Sequence, residues 1–364
     1  MRVACNRTSS LDSWFLKNLI CPVDRTALSL SGAFLCSRAG RRYPVIDGVP
    51  VMLRSDIVQT IECARASLED ATRVAGGGER PDPLFVRSLG VTDEERSRAL
   101  ALHRQGGTYD PVVSVMVGAT SGRAYAHQTG RTTDDYPIPE FRFPESRPGL
   151  LLDIGCNWGR WSLAAARRGH EVVGIDPQLG AVLAAKRLAV RAGTGARFVV
   201  GDARCLPFRD DLFDYAWSYS VLQHFSKPDA ERALVEIGRV LIGGGFARIQ
   251  MANRRGVLGF YHRARRGFAK PTGFAVRYWS PREAETAVVR AIGGAEIKAD
   301  CFFGLGLQRS DRPWMTSVGR TAVLASETMV SISKFIPTLS RSADSLFLDA
   351  HKPQQTNGAV IVGP

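Results

Sequence analysis

Three aspartates and a pair of glycines in the middle of the chain have the types and spacing of a nucleotide-like ligand site. Asp153 directly precedes a turn that contains Gly155 and Gly159, and Asp176 and Asp202 follow later. Each acid ends an apolar run of strand type. Glycines let the backbone turn sharply and a ligand approach closely. An acid roughly 20 residues beyond such a turn can receive two ribose hydroxyls. The pattern therefore predicts a nucleotide-like ligand at this turn.

Each of the three acids suits a different part of such a ligand. Asp153 could accept hydrogen bonds from the loop and from the ammonium group of an amino-acid ligand. Asp202, in GDARCLPF, could accept from an adenine amino group, with Ala203 and Leu206 lining the adenine face. The competing interpretation makes the acids helix caps and the glycines ordinary turns. Acids at three strand ends disfavour it, because it requires three independent coincidences.

The residues around these acids alternate between strand-like and helix-like patterns. Near-continuous apolar runs, as burial on both faces requires, occur in LLLDIGC, EVVGIDP, ARFVVGDA, FDYAWSYS and GFARIQMAN. Several of the intervening segments have helical spacing. This alternation predicts the α/β class, with a doubly wound, Rossmann-like sheet that carries the acids at the carboxyl edge of its strands.

The chain divides into three regions of different character. Residues 15–53 contain short apolar runs broken by glycine and proline, which predict a small β-rich domain. Residues 54–148 are mostly polar and predict a helical linker and cap. Residues 149–353 predict the α/β domain. Within it, 252–342 contain insertions on the substrate side, and 343–353 predict a final edge strand.

Residues 149–251 resemble the class I methyltransferase domain, most closely its type-11 branch. LDIGCNWGRW resembles motif I, VVGIDP the acidic second strand, GDARCLPFRDDLFDYAWSYSVLQHF the third and fourth motifs, and VLIGGGFARIQM the region of the fifth strand. The resemblance implies a methyltransferase sheet with S-adenosyl-L-methionine as the cofactor. The cofactor-binding residues that it implies are Asp153, Gly155, Cys156, Asn157, Gly159, Asp176, Pro177, Asp202, Ala203 and Ser218.

Motif I departs from the family pattern at Asn157, where a glycine is common. Asparagine tolerates left-handed backbone angles better than most residues, so we expect the turn to be kept. A nicotinamide-dependent dehydrogenase would instead require G-x-G-x-x-G. Here Gly155 and Gly159 stand four positions apart, and an acid precedes the first of them. Their spacing favours S-adenosyl-L-methionine over a nicotinamide cofactor.

His224, in SYSVLQHF, is the best candidate for a general base, because it follows the fourth strand near the reactive end of the cofactor in this fold. An oxygen or nitrogen acceptor can require such a base. The alternative is a hydrogen-bonded structural histidine. The loop reads Ser218-Tyr219-Ser220-Val221 instead of the Asn/Asp-Pro-Pro-aromatic loop of adenine and glutamine methyltransferases. This difference weighs against common nucleic-acid base chemistry without excluding RNA.

Residues 19–53 resemble the small zinc-ribbon-like family that activates tRNA and protein methyltransferases, most specifically in RRYPVIDGVPVML. That family has two C-x-x-C pairs. Here Cys21 is followed three residues later by Asp24, and Cys36 by Ala39. Structural zinc takes four ligands, and this set supplies at most three. We therefore expect no zinc, and a role in bracing the catalytic domain or forming part of a substrate wall.

The net charge and the cysteines limit which partners and which cellular location the sequence favours. The net charge is +13, from 48 Lys and Arg against 35 Asp and Glu, which favours anionic partners. The seven cysteines form no C-x-x-C pair and indicate reduced thiols. No apolar run reaches about 18 residues. The N-terminus is too polar for a secretory signal. A cytoplasmic location is the resulting expectation.

The segment 252–281 mixes seven basic residues with aromatic ones. Its arginines could clamp a phosphate or carboxylate. It could also lie on an anionic membrane, hold single-stranded RNA, or be a solvated helix whose aromatics are tucked into the core. The primary hypothesis is a methyltransferase acting on a small, anionic or lipid-linked acceptor, at oxygen. The alternatives are an RNA methyltransferase and an inactive cofactor-binding scaffold.

Overall fold

A computed structural model describes residues 11–120, 125–133, 135–145, 147–303, 306 and 308–354. It begins with a short helix and an antiparallel sheet of four strands in sequential order. These elements are α1 (Ser13–Asn18), β1 (Leu28–Ser31), β2 (Phe34–Ser37), β3 (Arg42–Ile46) and β4 (Val49–Pro50). The β-rich character predicted for the N-terminal segment is confirmed. Its resemblance to the activator family rests on the sequence motif alone.

The positions at which a zinc ribbon would hold its metal make hydrogen bonds within the segment. The Cys21 Sγ lies 3.1 Å from the Tyr43 hydroxyl. The Asp24 carboxylate accepts from the Thr26 hydroxyl and backbone N–H and from the Ser37 hydroxyl. The bonds from Thr26 lower the Asp24 pKa to about 2. Among the described residues, no three His, Cys, Asp or Glu side chains are grouped to hold a metal ion. The absence of zinc stays a prediction for metal analysis.

Three helices follow: α2 (Glu62–Ala75), α3 (Asp93–Gln105) and α4 (Pro111–Met116). α3 begins at a capping box, in which the Thr92 hydroxyl accepts from the Glu95 N–H and the Glu95 carboxylate accepts from the Thr92 N–H. Buried side chains of this region, such as Phe85 and Val113, share one apolar cluster with Trp158 of the α/β domain. The helical region therefore covers one face of that domain.

The α/β domain is built on a seven-stranded sheet. Its strands are β5 (Leu150–Ile154), β6 (Glu171–Asp176), β7 (Arg197–Val200), β8 (Phe213–Ser218), β9 (Leu241–Ala252), β10 (Gly294–Cys301) and β11 (Ser345–His351). Its helices are α5 (Arg160–Ala166), α6 (Leu179–Arg191), α7 (Lys227–Val240), α8 (Val257–Arg265), α9 (Pro281–Ala291), α10 (Ser317–Ser333) and α11 (Pro337–Ser340). None of the described helices is long and apolar enough to cross a membrane.

The strand order is β10-β11-β9-β8-β5-β6-β7, and β5 to β9 are parallel. This confirms the doubly wound, Rossmann-like sheet. The edge position expected for the last strand is wrong. β11 lies between β9 and β10 and pairs antiparallel with both. Leu346, Leu348 and Ala350 on β11 are almost completely buried, and an interior strand buries such side chains better than an edge strand does.

The strand order reverses at β5, which pairs with β6 on one side and with β8 on the other. Ile154 is in register with Ile175 of β6 and with Ser218 of β8. The carboxyl ends of these strands therefore meet at one edge of the sheet. Open α/β sheets bind their ligands at such a switch point.

The N-terminal sheet is joined to the outer strand β7. The Met52 N–H donates to the Val200 carbonyl oxygen at 2.7 Å, and Val51 forms a parallel bridge with Val200. The side chains of Phe15 and Tyr43 belong to the same apolar cluster as Phe213 of β8. The two sheets thus share one core, and the chain beyond β4 covers the edge that β7 would otherwise present.

Candidate functional site

The turn after β5 has the backbone conformation that the sequence predicts. Gly155, Asn157 and Gly159 have φ of +75°, +48° and +83°. The expectation that Asn157 keeps the turn in place of a glycine is confirmed. Its side chain stabilises this conformation, because Oδ1 accepts from the Trp158 N–H at 2.8 Å and Nδ2 donates to the Gln178 side chain at 3.0 Å.

Gly155 is required by a close approach as well as by its backbone angle. A Cβ atom at this position would lie 2.2 Å from a methyl carbon of Val221. Val221 follows β8 and precedes the 3₁₀ turn Leu222–His224. The glycine turn and the segment that carries the candidate base are therefore packed directly against each other.

Asp153 is buried at the end of β5, with 1% of its surface exposed. Its carboxylate accepts from the Ser162 hydroxyl of α5 at 2.6 Å. Burial raises its pKa to about 7, and the nearby charge of Asp176 acts in the same direction. Within the described part of the chain, no lysine or arginine forms a hydrogen bond or an ion pair with Asp153. The carboxyl group is thus held where a cationic ligand group would favour its ionised form.

Asp176 ties the second strand to the glycine turn. Its carboxylate accepts from the backbone N–H groups of Asn157 and Gln178, each at 3.0 Å. Burial raises its pKa to about 6 against these two hydrogen bonds. Pro177, the next residue, is half-buried. The structure therefore brings Asp153 and Asp176 to the same edge, as the sequence predicts.

Asp202 has a partner that the sequence analysis missed. The Arg204 guanidinium donates from Nη2 to Oδ2 at 2.7 Å and from Nε to Oδ1 at 3.1 Å, and the Arg204 backbone N–H also bonds Oδ1. Asp202 is not the open acceptor that the adenine hypothesis assumed. An adenine amino group would have to share the carboxylate with Arg204. Ala203 is buried, and Leu206 is completely buried and lines no open face.

Two further cofactor candidates have different surroundings. Ser218, at the end of β8, is completely buried, and its hydroxyl has no hydrogen-bond partner among the described residues. Burying a hydroxyl without a hydrogen-bond partner costs free energy, unless a bound ligand supplies that partner. Cys156 is buried in packing, because its Sγ would lie 2.9 Å from a Cβ at Gly174. Its pKa is raised by burial, so Cys156 shapes the loop and stays a neutral thiol.

His224 is held with a defined proton position. Its imidazole stacks on the Phe274 ring with centroids 4.0 Å apart and planes inclined by 2°. Its Nδ1 lies 2.8 Å from the Phe274 carbonyl oxygen. Because a carbonyl only accepts, Nδ1 carries the hydrogen and Nε2 of the neutral ring keeps its lone pair. Burial lowers the His224 pKa. The ring is therefore neutral near pH 7 and able to accept a proton at Nε2.

Buried polar groups from the insertions enclose the same region. Arg160, at the start of α5, donates to Asp311 at 2.8 Å and to the Pro137 carbonyl oxygen at 2.9 Å. The Tyr125 hydroxyl donates to the same Asp311 oxygen at 2.7 Å. The cap and the last insertion therefore meet at the helix that follows the glycine turn. The sequence offered no signal for this, since Arg160 and Asp311 are 151 residues apart.

Residues 151–245 match the family model described as methyltransferase domain. The chain is 37% identical over 103 residues to a demethylmenaquinone methyltransferase of Thermus thermophilus, a match that covers 28% of this chain and 46% of that protein. It is 37% identical over 103 residues to a probable tRNA methyltransferase 9B of Bos taurus, covering 28% of this chain and 21% of that protein.

A third relative, a ubiquinone biosynthesis O-methyltransferase of Azorhizobium caulinodans, is 31% identical over 104 residues, covering 29% of this chain and 40% of that protein. A SAM-dependent methyltransferase from Methanosarcina mazei aligns with a TM-score of 0.41 at 21% identity, covering 57% of this chain and 94% of that one. The matches span less than half of these curated relatives. The family-model match and the parallel sheet with its glycine turn define a methyltransferase domain over residues 151–245.

Proposed function

We propose that the chain binds S-adenosyl-L-methionine at the turn between β5 and α5 and methylates a small-molecule acceptor at oxygen. The observation that carries this proposal is the pair of buried carboxyl groups, Asp153 and Asp176, beside the glycine turn. That turn can approach Val221 only because residue 155 is a glycine. Three of the residues present fit the cofactor, whereas the Asp202 carboxylate is already engaged by Arg204. Asp153 suits its ammonium group, Asp176 its ribose hydroxyls, and the Ser218 hydroxyl has no hydrogen-bond partner among the described residues.

The side chains around the turn position the acceptor and move its proton. When bound, the cofactor would supply an electrophilic methyl group on a sulfonium sulfur, with the neutral thioether as the leaving group. The protein's task is to hold the acceptor atom about 3–3.5 Å from the methyl carbon. We assign His224 Nε2 as the group that takes the acceptor proton. The Phe274 carbonyl oxygen, 2.8 Å from Nδ1, keeps the ring in the tautomer that this role needs.

Cofactor affinity is expected to rise with pH. The raised pKa values, about 7 for Asp153 and about 6 for Asp176, mean that the free protein holds these protons near pH 5.5. An ammonium group binds the ionised form, so affinity should increase about tenfold or more between about pH 5.5 and pH 7.

By the same pKa shifts, the ligand-free protein should lose stability as the pH rises from about 4 to about 7, because the folded state binds these protons more tightly than the unfolded chain does.

Isothermal titration of the cofactor product at several pH values measures how cofactor affinity depends on pH. Asp153→Asn should lower the affinity and remove the step near pH 7. Asp93→Asn, at an exposed position in the first turn of α3, is the matched control and should titrate like the wild type. An affinity that is flat across this pH range in the wild type contradicts the proposed role of the two carboxyl groups.

His224→Gln should lower kcat about 100-fold or more while changing cofactor affinity by less than about twofold, because it removes a proton acceptor and not a cofactor contact. His103→Gln, at an exposed position on α3, is the control. The measurement is steady-state turnover across pH together with titration of the cofactor product. Unchanged turnover at every pH would leave His224 with a structural role only.

Methylation of RNA is the second candidate, favoured by the net charge of +13 and by the likeness to a probable tRNA methyltransferase 9B. Incubating the protein with deuterated-methyl cofactor and a cell extract, followed by mass spectrometry, separates the possibilities. Label in a small molecule supports the proposal, and label in RNA overturns it. Cofactor binding without any labelled product would indicate an inactive scaffold.

A further inference from the structure

The segment after β9 leaves an unusual set of apolar side chains in water. We call residues 254–274 the basic-aromatic surface. More than half of the residue surface is exposed at each of Val257, Phe260, Tyr261, Phe268 and Phe274. Exposed apolar residues scattered singly need no explanation, but a cluster of them within one short segment marks an interaction site. The sequence-based reading in which these aromatics are tucked into the core is therefore wrong for them.

The same surface is strongly positive. Residues 252–280 contain seven basic residues and no acidic one. The exposed members are Arg254, Arg255, Arg265, Arg266 and Lys270. In contrast, Arg277 is directed inward, where it donates to the carbonyl oxygens of His224 and Ala275. The surface thus combines apolar rings with cations that have no acidic neighbours in the segment, which fits an anionic and apolar partner.

Contacts with one another and with the rest of the domain hold the side chains of the basic-aromatic surface in place. Phe260 and Phe268 pack edge to face, with centroids 6.0 Å apart, and the Arg263 guanidinium lies within 5.9 Å of both ring centroids. The start of α8 is fixed to the sheet, because the Leu258 N–H donates to the Asp344 carboxylate at 2.7 Å. α8 is therefore held in place while Val257, Phe260 and Tyr261 face solvent.

This surface adjoins the reactive end of the site. Phe274 is 62% exposed, yet its ring stacks on His224 and its carbonyl oxygen orients the imidazole. One residue is thus shared by the outer surface and the candidate base. A partner seated on the surface would be presented directly to the position at which the acceptor must lie.

We infer that the basic-aromatic surface docks on an anionic lipid bilayer and that the acceptor is an amphiphile presented at that bilayer. Interfacial segments bury Phe and aliphatic side chains at the acyl boundary and set Lys and Arg against anionic headgroups. Single-stranded RNA fits less well, because bases stack on open ring faces. Here Arg263 lies beside the Phe260 and Phe268 rings, and Val257 offers no ring. The docking is independent of methyl transfer, and only the acceptor class rests on the proposed function.

Vesicle co-sedimentation tests the docking. The full chain should bind phosphatidylcholine vesicles that contain about one-third phosphatidylglycerol, bind pure phosphatidylcholine vesicles weakly, and lose affinity as salt rises. The triple variant Val257→Ser, Phe260→Ser and Phe268→Ser should bind at least about tenfold more weakly at unchanged charge. The triple variant Arg255→Gln, Arg265→Gln and Arg266→Gln should lose about fivefold for each removed charge.

Matched controls make the same changes elsewhere. Serine at the exposed apolar positions Val58, Val190 and Val235, and glutamine at the exposed arginines Arg104, Arg167 and Arg168, should leave vesicle binding within about twofold of the wild type. Equal losses in the controls, or equal binding to neutral vesicles, would overturn the inference. So would binding of an RNA oligonucleotide that depends on the same aromatic residues while vesicles are not bound. Titration of the cofactor product in each variant shows separately whether the methyltransferase site is intact.

Discussion

Gly155→Ala is expected to weaken cofactor binding about 100-fold, because it combines backbone strain with a steric conflict at the glycine turn. The residue has φ of +75°, a conformation that costs an L-residue about 1–2 kcal/mol. The added carbon would also lie 2.2 Å from one Val221 methyl carbon and 2.9 Å from the other. The turn and the segment after β8 would have to separate, which displaces both the cofactor seat and His224. Titration of the cofactor product and thermal unfolding measure the two consequences.

The contact between position 155 and Val221 provides a test of this explanation. Gly155→Ala combined with Val221→Ala removes the steric conflict but keeps the backbone strain, so the double variant should regain part of the lost affinity. Gly195→Ala is the control, because nothing lies within 4 Å of a Cβ at that exposed loop position. If Gly155→Ala binds the cofactor as the wild type does, the glycine turn is not the cofactor seat.

Local sequence was enough to locate the two carboxyl groups. Asp153 and Asp176 each end an apolar run, and parallel strands bring their carboxyl ends to one edge, so strand pattern alone places the acids together. The left-handed Asn157 was predictable for the same reason, because its conformation depends on its own side chain and its immediate neighbours. These features need only short-range information.

Partnerships between distant side chains were not predictable from pattern. The strand pattern places Asp202 at a strand end, but it does not reveal that the Arg204 guanidinium folds back onto both carboxylate oxygens. Nor does it reveal that β11 enters the sheet between β9 and β10, since a strand pattern does not specify the neighbours of a strand. Side-chain direction and strand order depend on the assembled core.

The basic segment at 252–281 also combines features that its sequence predicts with features that depend on distant contacts. Its composition left four interpretations open, because a periodic pattern cannot say which face of a short helix is covered. The structure separates its aromatics: Trp279 is buried, whereas Phe260 and Phe268 remain exposed. Trp279 forms a bridge with Asn253 beside the end of β9, whereas the start of α8 is held by a hydrogen bond to Asp344, a contact across 86 residues.

Asp311→Ala is expected to have the largest effect on stability, lowering the free energy of unfolding by about 3–5 kcal/mol. The carboxylate is 1% exposed and lies 2.8 Å from the Arg160 guanidinium, which is 5% exposed. Removing it takes this counter-charge from a buried cation and an acceptor from the Tyr125 hydroxyl. Because Arg160 begins the helix behind the glycine turn, cofactor affinity should fall as well. Urea unfolding measures the first effect, and titration of the cofactor product measures the second.

A double-mutant cycle with Arg160→Met separates the ion pair from the general cost of altering the core. The double variant should be less destabilised than the sum of the single variants, with a coupling of about 1–3 kcal/mol, because neither charge then remains without the other. Glu140→Ala breaks a solvent-exposed pair with Arg142 in the same cap and should cost under about 1 kcal/mol. If Asp311→Ala costs no more than Glu140→Ala, the ion pair does not hold the insertion to α5. The insertion must then be held by the apolar contacts of Val117, Tyr125, Met315 and Val323.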